Sequence, residues 1–156
     1  MFLVIKMEYK ITTHSEIETI ELAENFESEK FPNMVICLNG DLGSGKTVFA
    51  KGFANALGID EVITSPTFTI VKEYYSGEVP LFHMDVYRID EGSVEIDFGE
   101  YFVKKGVSII EWADMIPDEL PKERLNITIK IVDEDTRIFV IKPIGKKYED
   151  LCEAVL

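Results

Sequence analysis

Eight residues, "GDLGSGKT" at positions 40–47, restrict this chain more than any other stretch in it. They match the pattern G-x-x-x-x-G-K-[ST] in full, and from ordinary residue usage a chance match arises on the order of once per couple of hundred chains of this length. The flanks narrow the reading further. "MVICLN", residues 34–39, is a continuous apolar run rich in branched side chains, the pattern of a strand buried on both faces in a parallel sheet. Behind the motif, residues 46–57 place Phe49, Phe53, Ala56 and Leu57 on one side of a predicted helix, and Gly58 stands where helices commonly end.

A strand, a glycine-rich turn and a helix are the parts of a phosphate-binding loop. The glycines let the backbone fold back so that the amides of Asp41, Leu42, Gly43, Ser44 and Gly45 converge on an anion. Lys46, Thr47 and Val48 then open the helix, whose N-terminus adds the positive end of its dipole. Lys46 is placed to reach the β- and γ-phosphates of a nucleoside triphosphate, and Thr47 to offer its hydroxyl to Mg²⁺. The chain as a whole is acidic, with 29 carboxylates against 16 basic side chains and a net charge of -13. A local cluster of donors nevertheless outweighs a diffuse surface charge within a Debye length of about 8 Å. The charge argues instead against a basic groove for RNA or DNA, and for a protein partner with a basic face.

The remaining segments predict an α/β layered P-loop fold, a central partly parallel sheet with antiparallel edge hairpins, in one domain spanning 1–156. Ser15 and Glu18 form a capping-box pattern, followed by Ile17, Ile20, Ala23 and Phe26 on a helix near 16–29. "TFTIVKEYY" and "VPLFHMDVY" flank "SGE" as one hairpin, and "LNITIKIV" and "RIFVIK" flank "DEDT" as another. "VSIIEW" is a further buried strand, "EIDFGEYFVKK" contains a short helix and "KKYEDLCEAVL" a terminal one. The opening "MFLVIKMEYK" is too short an apolar run for a signal or a membrane span and reads as an edge strand, which predicts a cytoplasmic protein.

A P-loop hydrolase also needs a carboxylate for the magnesium shell and a group that orients the attacking water. Asp85 ends the run "LFHMD", and Glu111 ends "VSII", where a carboxylate is costly to bury unless it faces a cation or water. Either can ligate the metal. Between the loop helix and the first hairpin, "TSPTF" at 64–68 offers hydroxyls for a nucleotide-sensing switch, with Thr67 the preferred contact. Trp112, the only tryptophan, stands between a core and a site role. His14 and His83 lack partners at ligand spacing and read as structural, and Cys37 and Cys152 as reduced buried thiols.

With these residues assembled, the chain resembles the TsaE (YjeE) family of small ATPases required for the threonylcarbamoyl modification of adenosine in tRNA. The resemblance rests on "GDLGSGKT", "TSPTF", "FHMDVYR" with Asp85, Tyr87 and Arg88, and "IIEWAD" with Glu111 and Trp112. It implies ATP/ADP and Mg²⁺ as ligands, with Lys46 and Thr47 holding phosphate and metal and Asp85 and Glu111 serving metal and hydrolysis. It also implies that Trp112 lies close to the site and that Arg137 approaches the nucleotide. The implied partners are TsaD and TsaB, which hold the modifying active site, so that tRNA contacts fall mainly to them.

Two other classes use the same loop. Many small-molecule kinases close an arginine-bearing lid over the phosphates, whereas this chain has only Arg88, Arg124 and Arg137. A non-hydrolysing nucleotide sensor would bind without releasing phosphate. GTPases are disfavoured because no N-K-x-D or D-x-x-G pattern occurs.

Overall fold

The computed structural model of the chain describes residues 7–91 and 95–156. The first six residues of the expected N-terminal strand, and residues 92–94, lie outside that set. Among the described residues seven strands form one sheet: β1 (Tyr9–Thr13), β2 (Met34–Gly40), β3 (Val71–Tyr74), β4 (Leu81–Asp85), β5 (Val107–Glu111), β6 (Arg124–Ile131) and β7 (Arg137–Ile144). Their spatial order is β1-β7-β6-β2-β5-β4-β3. The centre is parallel, β2 pairing with β5 and β6 and β4 with β5. Both flanks are antiparallel, through β6–β7, β1–β7 and β3–β4. The layered α/β expectation holds, and the two hairpins stand where the sequence places them.

The parallel strands read as unbroken buried runs because both faces of the sheet are covered there. On one face lie the helices α1 (Glu16–Ser28), α2 (Lys46–Leu57) and α4 (Lys146–Val155). Phe26, Phe49, Phe53 and Tyr148 from these helices meet Ile36, Leu38, Ile109, Ile127 and Phe139 from the sheet. Each such side chain contributes about 1.5–3 kcal/mol relative to exposure, which anchors α2 firmly behind the loop. The other face has a thinner cover, α3 (Phe98–Phe102) and 3-10 turns at Ala113–Met115 and Pro117–Glu119, closing over Val35, Cys37, Phe82, Met84 and Ile110. Among the described residues no helix is long and apolar enough to cross a membrane.

Two helices show how local chemistry sets the frame. Ser15 Oγ caps α1 by accepting from Glu18 N at 3.1 Å, while the Glu18 carboxylate accepts from His14 N rather than from the cap residue itself. The buried stripe of α1 runs Thr19, Leu22, Ala23, Phe26, Glu27, so Ile17 is 67% exposed, contrary to the sequence pattern. The stripe is turned because Thr19 bonds Thr13 on β1 at 2.9 Å and because α1 must present Ile20 and Ala23 to α2. In α2, Gly52 permits that approach: a Cβ there would lie 3.0 Å from Ile20 Cα and 3.1 Å from Ala23 Cβ. Ala56, expected inward, is exposed, and Ala50 and Ala54 take the buried positions instead. Both cysteines are free and buried, as expected, and burial pushes the Cys37 thiol up to about 12 and that of Cys152 up to about 11.

Candidate nucleotide site

The loop leaves β2 at Gly40 and enters α2 at Lys46. A turn forms within it, Ser44 N donating to Asp41 O at 3.0 Å. Gly45 is the N-cap of α2 with φ 113°, a left-handed conformation that side chains disfavour. It supplies no side-chain cap, so the first turn of α2 presents bare backbone donors where the helix dipole is positive. Leu42, at 88% exposure, and Gly43 form the solvent-facing crest.

Lys46 is only 5% exposed. Its Nζ donates to Gly40 O at 2.6 Å, to Asp41 O at 3.0 Å and to Ser44 Oγ at 3.4 Å, and sits 4.0 Å from the centroid of the Trp112 ring. Burial pulls its ammonium below the ordinary lysine value, with Glu111, Asp85 and Asp41 opposing that shift. The cation-π contact places Trp112 at the site. Trp112 has φ 62°, rare for so large a residue, and its N–H donates to Leu38 O at 2.9 Å, which turns the chain sharply after β5. Its ring packs against Tyr87 with centroids 4.6 Å apart.

The two carboxylates come together through strand register. Asp85 and Glu111 are direct partners across the parallel β4–β5 pair, so both project from the same face at the same end of the sheet. Thr47 Oγ1 donates to Glu111 Oε1 at 2.9 Å, linking the first turn of α2 to β5. Glu111 Oε2 lies 2.6 Å from His83 Nε2. Asp85 accepts from Ser65 Oγ at 2.6 Å and from Tyr87 N at 3.0 Å. Thr47, Asp85 and Glu111 thus form an oxygen-only donor set, the type that suits Mg²⁺. Among the described residues no group of three or more His, Cys, Asp or Glu side chains could by itself hold a metal. Mg²⁺ in phosphate sites is commonly held by one or two carboxylates with substrate oxygens and water, so the residues fit that mode.

These groups line a cleft of about 630 Å³. Of the residues singled out from sequence, Leu42, Gly43, Gly45, Lys46, Thr47, Val48, Thr67, Asp85 and Glu111 border it, together with Trp112. Ser44 and Arg137 border a smaller cleft of about 290 Å³ behind the loop. Arg137 donates from Nε to Ser44 O at 3.0 Å and from Nη2 to Gly43 O at 3.2 Å, and from Nη1 to the carbonyls of Asp133, Glu134 and Thr136. It braces the loop from the β6–β7 turn.

Two contacts escaped the sequence reading. His83, read as structural, is fully buried on Glu111. Its position two before Asp85 on one strand is the signal that puts both on the same face. In "TSPTF" the hydroxyl that reaches Asp85 belongs to Ser65, with Thr67 nearby on the cleft wall.

Residues 13–139 match the family model described as threonylcarbamoyl adenosine biosynthesis protein TsaE. A Bacillus subtilis (strain 168) protein named tRNA threonylcarbamoyladenosine biosynthesis protein TsaE is 48% identical over 136 residues, covering 87% of this chain and 86% of its own length. A Nostoc protein of the same name is 38% identical over 75% of each chain. The crystal structure of Bacillus subtilis YdiB superposes with a TM-score of 0.86 at 40% identity, covering 98% of this chain and 97% of that one. A family model that spans residues 13–139, and relatives alike over most of their length, lead to one assignment: the chain belongs to the TsaE family of tRNA threonylcarbamoyladenosine biosynthesis proteins.

Proposed function

We propose that this protein is a Mg²⁺-dependent ATPase that works with TsaB and TsaD in the cytoplasm to sustain formation of N6-threonylcarbamoyladenosine in tRNA. The observation that carries the reading is the junction of Thr47 with Glu111 beside Asp85, directly behind the loop. Backbone amides from Gly43 to Val48 bind the polyphosphate, and Lys46 moves from the carbonyls of Gly40 and Asp41 onto the phosphate oxygens. Thr47 with Asp85 or Glu111 would hold Mg²⁺, which would supply neutralisation of charge on the phosphate oxygens.

Glu111 orients the attacking water through a hydrogen bond and draws on its proton. Asp85 fixes the "TSPTF" segment through Ser65, so the segment is tied to the acidic end of the site. One lysine and one metal leave much transition-state charge uncompensated, and hydrolysis by the isolated chain is therefore slow. TsaB and TsaD accelerate it by ordering the switch segment or adding a donor. The net charge of -13 directs basic partner surfaces, rather than bare tRNA, to this protein.

Phosphate release measured with and without TsaB and TsaD tests the proposal, with ADP and ATP binding followed by the fluorescence of Trp112. Stimulation by the pair is expected. Binding of nucleotide with no release under any of these conditions would identify a sensor instead.

A further inference from the structure

Glu111 is 2% exposed at the end of a buried strand, and a carboxylate so placed is costly unless both oxygens are bonded. One oxygen takes the Thr47 hydroxyl, which leaves the other for a group the reaction scheme has not used. That group is His83, at 0% exposure, with Nε2 at 2.6 Å from Glu111 Oε2. His83 lies on β4 between the strands β3 and β5, with Lys72 and Ile109 as its register neighbours. His83 Nδ1 is buried without a hydrogen-bond partner among the described residues. The polar contact of the ring is therefore directed at Glu111, which is an expensive way to fill a core position.

We propose that His83 is a positioning residue for Glu111. Its Nε2–H fixes Oε2, which sets the rotation of the carboxylate so that Oε1 faces Thr47 and the cleft. A carboxylate held on one oxygen alone swings about its last torsion; one held on both keeps a single orientation toward the reacting centre. This role rests on the ATPase reading, and it makes His83 a residue whose loss affects turnover more than nucleotide binding.

The chain has only two histidines, and His14 is exposed, so long-range ¹H–¹⁵N spectra of the imidazoles, assigned with His14→Gln, read His83 directly. A hydrogen on His83 Nε2 is expected; a bare Nε2 overturns the proposal. The second arm compares His83→Gln with His83→Asn. The glutamine amide N–H reaches the position of imidazole Nε2, whereas that of asparagine reaches the position of Nδ1 and falls short of Glu111. ADP affinity is expected to stay within about threefold in both, while partner-stimulated phosphate release drops about tenfold or more in Asn and is substantially restored in Gln. Equal loss in the two variants, with native melting behaviour, also overturns it. Absence of phosphate release from the unaltered protein with TsaB and TsaD present sinks the ATPase reading, and the imidazole spectrum then still decides whether His83 holds Glu111.

Discussion

The hydroxyl of Thr47 donates to Glu111 Oε1 at 2.9 Å across 64 residues of sequence, and this bond joins the phosphate loop to the central strand β5. It places a negative charge one side chain away from the backbone donors that would grip a polyphosphate. Glu111→Gln keeps the size of the side chain and an acceptor for Thr47 while removing that charge. Nucleotide affinity is expected to change by less than about fivefold, and phosphate release to fall by about a hundredfold, the range for loss of a group acting on the nucleophile. Fluorescence titration and single-turnover release separate the two effects. A parallel loss of Mg²⁺ affinity would move Glu111 from water orientation to metal ligation.

Lys46 gives a pH-dependent signature of the same pocket. Its folded-state pKa is depressed, chiefly by burial, from the ordinary 10.5. Below the depressed value both folded and unfolded chains carry the proton and the burial penalty is fully present. Between that value and 10.5 the unfolded chain binds more protons, so stability rises with pH. The unfolding free energy of the protein minus that of Lys46→Met should therefore climb as the pH approaches 10.5. Urea unfolding at a series of pH values measures it, and a difference that declines over that range contradicts the burial argument.

Much of this site could be read from the chain, for reasons that are local. The loop, β2 and α2 declare themselves because strand periodicity, glycine placement and helical spacing all act within 25 residues. What sequence could not supply is adjacency. Asp85 and Glu111 become neighbours only because β4 lies beside β5, and strand order is not written in any one segment. The His83–Glu111 and Arg137–Ser44 contacts span 28 and 93 residues and depend on the same folded sheet. The misplaced Ile17 at the start of α1 has a similar origin, since the partner surfaces on β1 and α2, rather than the helix's own hydrophobicity, determine which side is buried.

Ser65 is the hydroxyl of "TSPTF" that meets Asp85, at 2.6 Å. Hydrogen bonds to charged groups contribute about 1.5–3 kcal/mol when buried, and the partial exposure of Ser65 lowers that here. Ser65→Ala is expected to weaken Mg²⁺-dependent ADP binding about fivefold, corresponding to about 1 kcal/mol, with little change in melting temperature. Titrating Trp112 emission with ADP at fixed Mg²⁺ checks this. An unchanged affinity would mean that Asp85 is oriented well enough by the Tyr87 amide alone.

Arg137 distinguishes bracing of the loop from contact with the nucleotide. Its guanidinium reaches Gly43 O and Ser44 O on one side and Asp133, Glu134 and Thr136 carbonyls on the other, a span that needs a planar, five-donor head. Arg137→Lys preserves the charge and loses the fork. If bracing is the role, the lysine variant should show faster hydrogen exchange at the Ser44 and Phe49 amides, which donate to Asp41 O and Gly45 O, before any nucleotide is added. Its ADP affinity should then be about three- to tenfold weaker, and Arg137→Met little worse than the lysine variant. If the positive charge itself met the phosphates, lysine would retain affinity that methionine loses, and exchange in the free protein would be unchanged. Exchange mass spectrometry on the free protein, followed by titration of both variants, therefore separates a preorganised loop from a direct electrostatic contact.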